Sequence, residues 1–202
     1  MTWHDFNTSD LPETPWKNGG GSTMELVRWP ENATLDNFVW RASIATIVSD
    51  GPFSTFENVD RIIALIRGPG VCLRDTVAGV DHKLDQPMHA FAFAGEASIY
   101  CKAGGAISRD FNTMTRRGRA AAQVVGLSQR AQMRTPRHGL FLATAGRWHI
   151  SDRIEFTREI RRDQGVWWHD VRTDSPIYLT PQEDDSTLLW VAIKMQGDDN
   201  CT

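Results

Sequence analysis

Phe38-Val39-Trp40-Arg41-Ala42-Ser43-Ile44-Ala45-Thr46-Ile47 alternates bulky and small side chains. Successive side chains of a strand point to opposite faces, so Phe38, Trp40 and Ile44 fall on one face and Arg41, Ser43 and Ala45 on the other. His89-Ala90-Phe91-Ala92-Phe93-Ala94 keeps the same rhythm, with Phe91 and Phe93 opposite the alanines. A face of small side chains suits a narrow barrel, or a wall that a ligand or another sheet approaches closely. Thr187-Leu188-Leu189-Trp190-Val191-Ala192-Ile193-Lys194 is apolar on both faces up to Lys194, which predicts a central, buried strand. Turn signals punctuate these runs at Ser49-Asp50-Gly51-Pro52, Arg67-Gly68-Pro69-Gly70, Ala103-Gly104-Gly105 and Thr144-Ala145-Gly146. Many short strands separated by Gly and Pro define an all-β sandwich or barrel. The Ala- and Gln-rich segment from Arg119 to Arg134 is read as strand on its Val124-Val125-Gly126-Leu127 centre.

An apolar run ending in Gly occurs twice, as Ile62-Ile63-Ala64-Leu65-Ile66-Arg67-Gly68 and as Leu140-Phe141-Leu142-Ala143-Thr144-Ala145-Gly146. The spacing predicts two tandem small barrels, residues 1–117 and 118–202, with the break near Arg116-Arg117-Gly118-Arg119. The 202 residues suffice for one large core or two small ones. No run approaches the ~20 apolar residues of a spanning helix, and Met1-Thr2-Trp3-His4-Asp5 lacks the features of a signal peptide, so a cytoplasmic protein is expected. Cys72, Cys101 and Cys201 form neither a CxxC nor a disulfide framework, and inert burial is expected for the first two. A net charge of −3 gives no pull toward nucleic acid or membrane, so the basic Arg116-Arg117-Gly118-Arg119 is read as a solvated turn.

Pro15-Trp16-Lys17-Asn18-Gly19-Gly20-Gly21-Ser22-Thr23 fits neither GxxxxGK[ST] nor GxGxxG. It is either a sharply bent strand entry or a loop baring backbone N–H groups to a small anion, with Asn18 adding an amide. In Asp60-Arg61, the arginine either pairs with Asp60, the commoner arrangement, or offers its planar fork to a ligand carboxylate. Asp110 and Asn112 share one face of a strand and either line a polar pocket or cap a turn. None of the six histidines forms HxH or HExxH, and no GxSxG occurs, so neither a metal nor a cofactor is expected. Most tryptophans are expected in the core; Trp167-Trp168 straddles a strand, which puts one of the two at the surface or an interface.

Taken in order, these motifs resemble the HutD/Ves family of double cupins. The likeness rests on Pro15–Gly21 with Thr23 and Glu25, Trp40–Ala45, Asp50–Ser54 with Phe56, Asp60-Arg61, Asp110–Met114 and Arg116–Gly118. It covers about the first 118 residues. The resemblance implies two cupin-like barrels in one chain. It also implies a regulatory rather than catalytic role, in which a small acidic intermediate of histidine utilisation is bound. On that basis Arg61 becomes the leading ligand contact, within a set comprising Asn18, Arg41, Ser43, Ser54, Asp60, Arg61, Asp110 and Asn112. The expected partner is a small carboxylate, with neither nucleic acid nor membrane, and homodimerisation is left open. The alternative is a metal-independent isomerase, lyase or hydrolase with Asp60, Asp110 or Glu25 as general base; a third reading gives the motif residues to the fold alone.

Overall fold

The three alternating runs are strands in the computed structural model, which describes residues 2–171 and 175–197. In chain order the strands are β1 (Thr2–Asn7), β2 (Glu13–Pro15), β3 (Gly21–Trp29), β4 (Trp40–Ile47), β5 (Gly51–Pro52), β6 (Val59–Arg67) and β7 (Val71–Asp75). Then come β8 (Val80–Leu84), β9 (Ala90–Ala94), β10 (Tyr100–Ala103), β11 (Ser108–Arg116), β12 (Ala120–Leu127) and β13 (Ala131–Arg134). The last are β14 (His138–Ala145), β15 (Arg147–Ser151), β16 (Thr157–Arg161), β17 (Gln164–His169), β18 (Pro176–Pro181) and β19 (Thr187–Met195). Among the described residues the one helical element is a 3₁₀ turn at Thr8–Asp10, and no helix is long and apolar enough to cross a membrane.

The chain forms two compact units, Leu11–Ala121 and Met1–Asp10 with Ala122–Thr202. In the first, a six-stranded sheet of order β2-β3-β4-β11-β6-β9 faces a four-stranded sheet of order β5-β10-β7-β8. Their shared core takes Ala45, Ile47, Ile63, Leu65 and Phe93 from one sheet and Val71, Leu73, Leu84 and Cys101 from the other. The second unit pairs a five-stranded sheet, β1-β17-β14-β19-β12, with a four-stranded one, β13-β18-β15-β16. Phe141, Trp168, Leu188 and Trp190 meet Trp148, Ile150, Ile177 and Leu179 between them. Aromatic rings fill this core because each buries so much apolar area.

The sequence places the whole N-terminus in the first barrel, whereas β1 pairs antiparallel with β17 from Thr2↔His169 to Asn7↔Gln164. Trp3 supplies the reason: its indole stacks on Phe156 at 4.0 Å and tilts against Trp168 at 4.8 Å. Cys72 and Cys101 are free, and burial pushes the Cys101 thiol up to about 12; Cys201 lies outside the described residues. Trp168 is buried and its neighbour Trp167 is only partly so.

The half-chain symmetry is a repeated strand plan. β6, β7, β8, β9, β10 and β11 hold the same sheet positions as β14, β15, β16, β17, β18 and β19. The register repeats at an offset of 78 residues (61 to 139, 114 to 192): Arg61↔Met114 becomes Gly139↔Ala192, and Leu65↔Asp110 becomes Ala143↔Leu188. Even the slip in each ladder recurs, after Leu65 and after Ala143. A glycine at positive φ follows β6 and β14 directly, Gly68 (104°) and Gly146 (61°). A Cβ on either would run into a fully buried serine, Ser108 or Ser186. Each serine then bridges the entry to the next strand. Ser108 Oγ accepts from Gly70 N at 3.0 Å and donates to Gly70 O at 3.2 Å. Ser186 Oγ does the same with Arg147 N at 3.2 Å and Arg147 O at 3.0 Å.

Candidate ligand site in the first barrel

Directly paired residues of an antiparallel ladder put their side chains on the same face. Arg41, Ser43 and Ala45 of β4 pair with Met114, Asn112 and Asp110 of β11. Across the other edge of β11, Met114, Asn112 and Asp110 pair with Arg61, Ile63 and Leu65 of β6. Phe93 of β9 then stands opposite Arg61. Ala45, Ile63, Leu65 and Phe93 belong to the core between the sheets, so this is the inward face. Arg41, Ser43, Arg61, Asp110 and Asn112 therefore form a polar stripe inside the barrel, all of them buried.

Arg61 is 6 % exposed. Its Nη1 donates to the backbone oxygen of Ser54 at 3.1 Å, its Nη2 donates to Asn112 Oδ1 at 3.2 Å, and its Nε–H has no partner among the described residues. Three rings surround the guanidinium, with centroids at 4.9 Å (Phe93), 5.3 Å (Phe53) and 5.7 Å (Phe56). Their faces attract the cation, but no carboxylate neutralises it among the described residues. Burial first, and the nearby Arg41 second, lower its pKa to about 10, which leaves it charged at neutral pH. Arg41 does have a counter-ion: its Nε meets Glu25 Oε2 at 2.7 Å, and Glu25 also takes Arg28 at 3.0 Å. Two arginines thus share the Glu25 carboxylate, and Arg61 stands outside that pair.

Asp110 lies on the same face, one step beyond Asn112, and is 0 % exposed. Neither carboxyl oxygen has a hydrogen-bond partner among the described residues, and burial pushes its pKa up to about 7. A hard cation would need several oxygens together. Glu25 is already held by two arginines, so the stripe offers buried cationic N–H donors with one buried carboxyl beside them.

The remaining expected residues stand elsewhere or contribute differently. Ser54 reaches Arg61 through its backbone oxygen. Asp60, adjacent to Arg61 in the strand, points to the opposite face and receives Arg117 Nη2 at 2.7 Å. Asn18 is exposed, and its Oδ1 accepts from Gly20 N at 3.0 Å, closing the glycine-rich turn. Gly21 beyond that turn passes so close to Thr46 O that a Cβ would not fit, the geometry of a bent strand entry. Phe53, Phe56, Phe93 and Met114 complete the surroundings of the two arginines, Met114 Sδ lying 3.9 Å from Arg41 Nη1. Phe53 and Phe56 stood in a quoted motif, but as aromatics in a loop they gave no sign of facing a cation.

The second barrel shows what the fold requires at these positions. Where the first has Arg61, Asp110, Asn112 and Met114, the second has Gly139, Leu188, Trp190 and Ala192. The space that an Arg61 side chain would enter there is taken by the Trp168 indole, which a Cβ on Gly139 would strike. Two barrels on one strand plan define a double cupin, and among the described residues the first barrel carries the polar stripe.

The HutD family model matches residues 8–186, and the chain belongs to that family, which is linked to histidine utilisation. The chain is 36% identical over 166 residues to Protein Ves of Citrobacter koseri, covering 82% of each chain. It is 45% identical over 107 residues to an uncharacterised 21.2 kDa protein from the hutC 3′ region of Pseudomonas putida, covering 53% of this chain and 55% of that one. The structure of HutD from Pseudomonas fluorescens superposes with a TM-score of 0.84 at 25% identity, over 97% of this chain and 100% of that one.

Proposed function

We propose that this protein is a non-catalytic cytoplasmic regulator that senses a small carboxylate intermediate of histidine utilisation in its first barrel. The observation that carries this reading is Arg61, a buried guanidinium without an ion pair among the described residues, held by Asn112 and Ser54 and ringed by three phenylalanines. A buried charge left alone costs several kcal/mol, and an incoming carboxylate would recover part of that through two charge-assisted hydrogen bonds. In the second barrel the same position is glycine, so the fold itself does not demand the arginine. The family's link to histidine utilisation selects the ligands to test.

Urocanate, formiminoglutamate and formylglutamate are the first probes in a thermal-shift titration. Saturable stabilisation by one of them is expected, because a ligand bound only by the native state raises its stability. Arg61→Met should fold and lose the response. No shift at millimolar ligand, or a shift that survives Arg61→Met, would overturn the reading.

One observation favours a metal-independent enzyme instead: Asp110, with its carboxyl near 7, has the proton affinity of a general base working at neutral pH. Turnover of one of the same compounds, abolished in Asp110→Asn, would establish that alternative.

A further inference from the structure

Asp110 is a costly residue to keep. Its carboxyl is sealed from solvent, flanked in register by Ala45 and Leu65, and among the described residues neither oxygen has a hydrogen bond. The second barrel places Leu188 at the matching point, with Ala143 beside it, and buries that leucine fully. A leucine therefore satisfies this strand plan. An unpaired buried polar group in a native protein calls for a missing partner, and the position of Asp110 says where that partner would sit. Arg61 pairs with Met114 but leans along the strand to reach Asn112. Asp110 is the next inward-facing residue beyond Asn112, roughly 7 Å further at the rise of a strand.

We propose that Asp110 reads the second functional group of the bound molecule, so that the ligand is a short bifunctional acid: a carboxylate on Arg61 and, three to five bonds away, a group offering a donor and an acceptor side by side. This rests on the carboxylate reading of Arg61. The side-by-side requirement follows from the two empty oxygens of a neutral carboxyl. The protonated oxygen donates to the ligand's carbonyl, and the other accepts from its N–H. An amide meets both needs, and a plain alkyl chain meets neither. A site built to hydrogen-bond such a group rejects the analogue lacking it far more strongly than an apolar pocket rejects an extra methylene. The raised proton affinity of Asp110 is consistent with the neutral form that this pairing uses.

The test compares two probes of equal shape, glutaramate and 5-methylhexanoate, by isothermal titration at pH 6. Wild type should bind glutaramate at least tenfold more tightly. Asp110→Leu, which copies the second barrel, should shrink or invert that preference while leaving Arg61-dependent binding of 5-methylhexanoate intact. Asp110→Asn keeps a donor and an acceptor and should hold the preference within about threefold of wild type. An unchanged preference in Asp110→Leu overturns the assignment of Asp110 while the carboxylate site stands. Absence of binding by both probes, or binding indifferent to Arg61→Met, overturns the carboxylate site and this inference with it.

Discussion

Gly139 holds in the second barrel the ladder position that Arg61 holds in the first, and Trp168 closes over it where Phe93 only flanks the arginine. One strand plan therefore carries a buried polar stripe in one copy and an aromatic core in the other. Gly139→Ala should destabilise the protein by about 1–3 kcal/mol, since the new methyl meets a fully buried indole. Chemical denaturation measures the loss, and Trp168→Phe in the same chain should recover part of it.

Asp110 should make stability fall as pH rises. Its carboxyl keeps a proton up to about 7 in the folded state and up to its ordinary 3.8 when unfolded. Between those values the native state binds more protons, so stability declines through the window, by up to about 4 kcal/mol in total. Cys101 is the titratable group coupled to it from the facing sheet, and at about 12 it stays neutral throughout. The melting temperature of Asp110→Asn, compared with wild type from pH 4 to 8, should show a gap that widens toward pH 7 and then levels. A constant gap would contradict the assignment.

Glu25 holds Arg41 and Arg28 together. Glu25→Gln leaves Arg41 buried without a counter-ion and should cost about 1–2 kcal/mol, a figure reduced because the Glu25 side chain is partly solvated. The same change adds uncompensated positive charge beside Arg61. Carboxylate-induced stabilisation should therefore be larger in Glu25→Gln than in wild type, measured as the difference between thermal shifts with and without ligand.

Asp60 belongs to an exposed cluster in which Arg117 also meets Glu96 at 2.9 Å. Asp60→Asn should leave carboxylate binding unchanged within about twofold in a titration, in contrast to Arg61→Met one residue along. Loss of binding would place Asp60 in the receptor after all.

Ser108 and Ser186 each satisfy a backbone donor and acceptor in a strand entry. Alanine at either position should cost about 1–3 kcal/mol, because the freed backbone groups stay buried. The two losses should be similar in size, as expected of one device used twice, and urea titrations of the single variants compare them directly.

Much of this organisation can be read from residues alone, and the boundary is physical. Period-two alternation put Arg41, Ser43 and Ala45 on one face, and the ladders keep them there. Alternation also bears on Asp60, since neighbours in a strand face opposite ways; the family motif joins it to Arg61, and the pleat separates them. Asn18 looked equally suited to a ligand or a turn, and only its 3.0 Å contact with Gly20 shows which bond it makes. The repeat was faint because the barrels share positions rather than residue types. Glycine and serine persist at Gly68/Gly146 and Ser108/Ser186, where backbone approach leaves no choice, while arginine becomes glycine and aspartate becomes leucine where the interior differs. Pairing of β1 with β17 had no local signature at all, since a strand's partner is set by tertiary packing.

That pairing has a consequence for how the chain is made. Asp5 meets Arg158 at 3.0 Å across 153 residues of sequence. On the ribosome, the strand that finishes the second barrel emerges early and must wait, unpaired, while the whole first barrel is synthesised. Contacts of such long range form slowly, and a lone strand carrying Trp3 and Phe6 is sticky in the interval. The strands of the first barrel follow one another within Leu11–Ala121, whereas the second barrel can close only after β17 has been made. Changes within β1 should therefore be felt in β17 and the core of the second barrel.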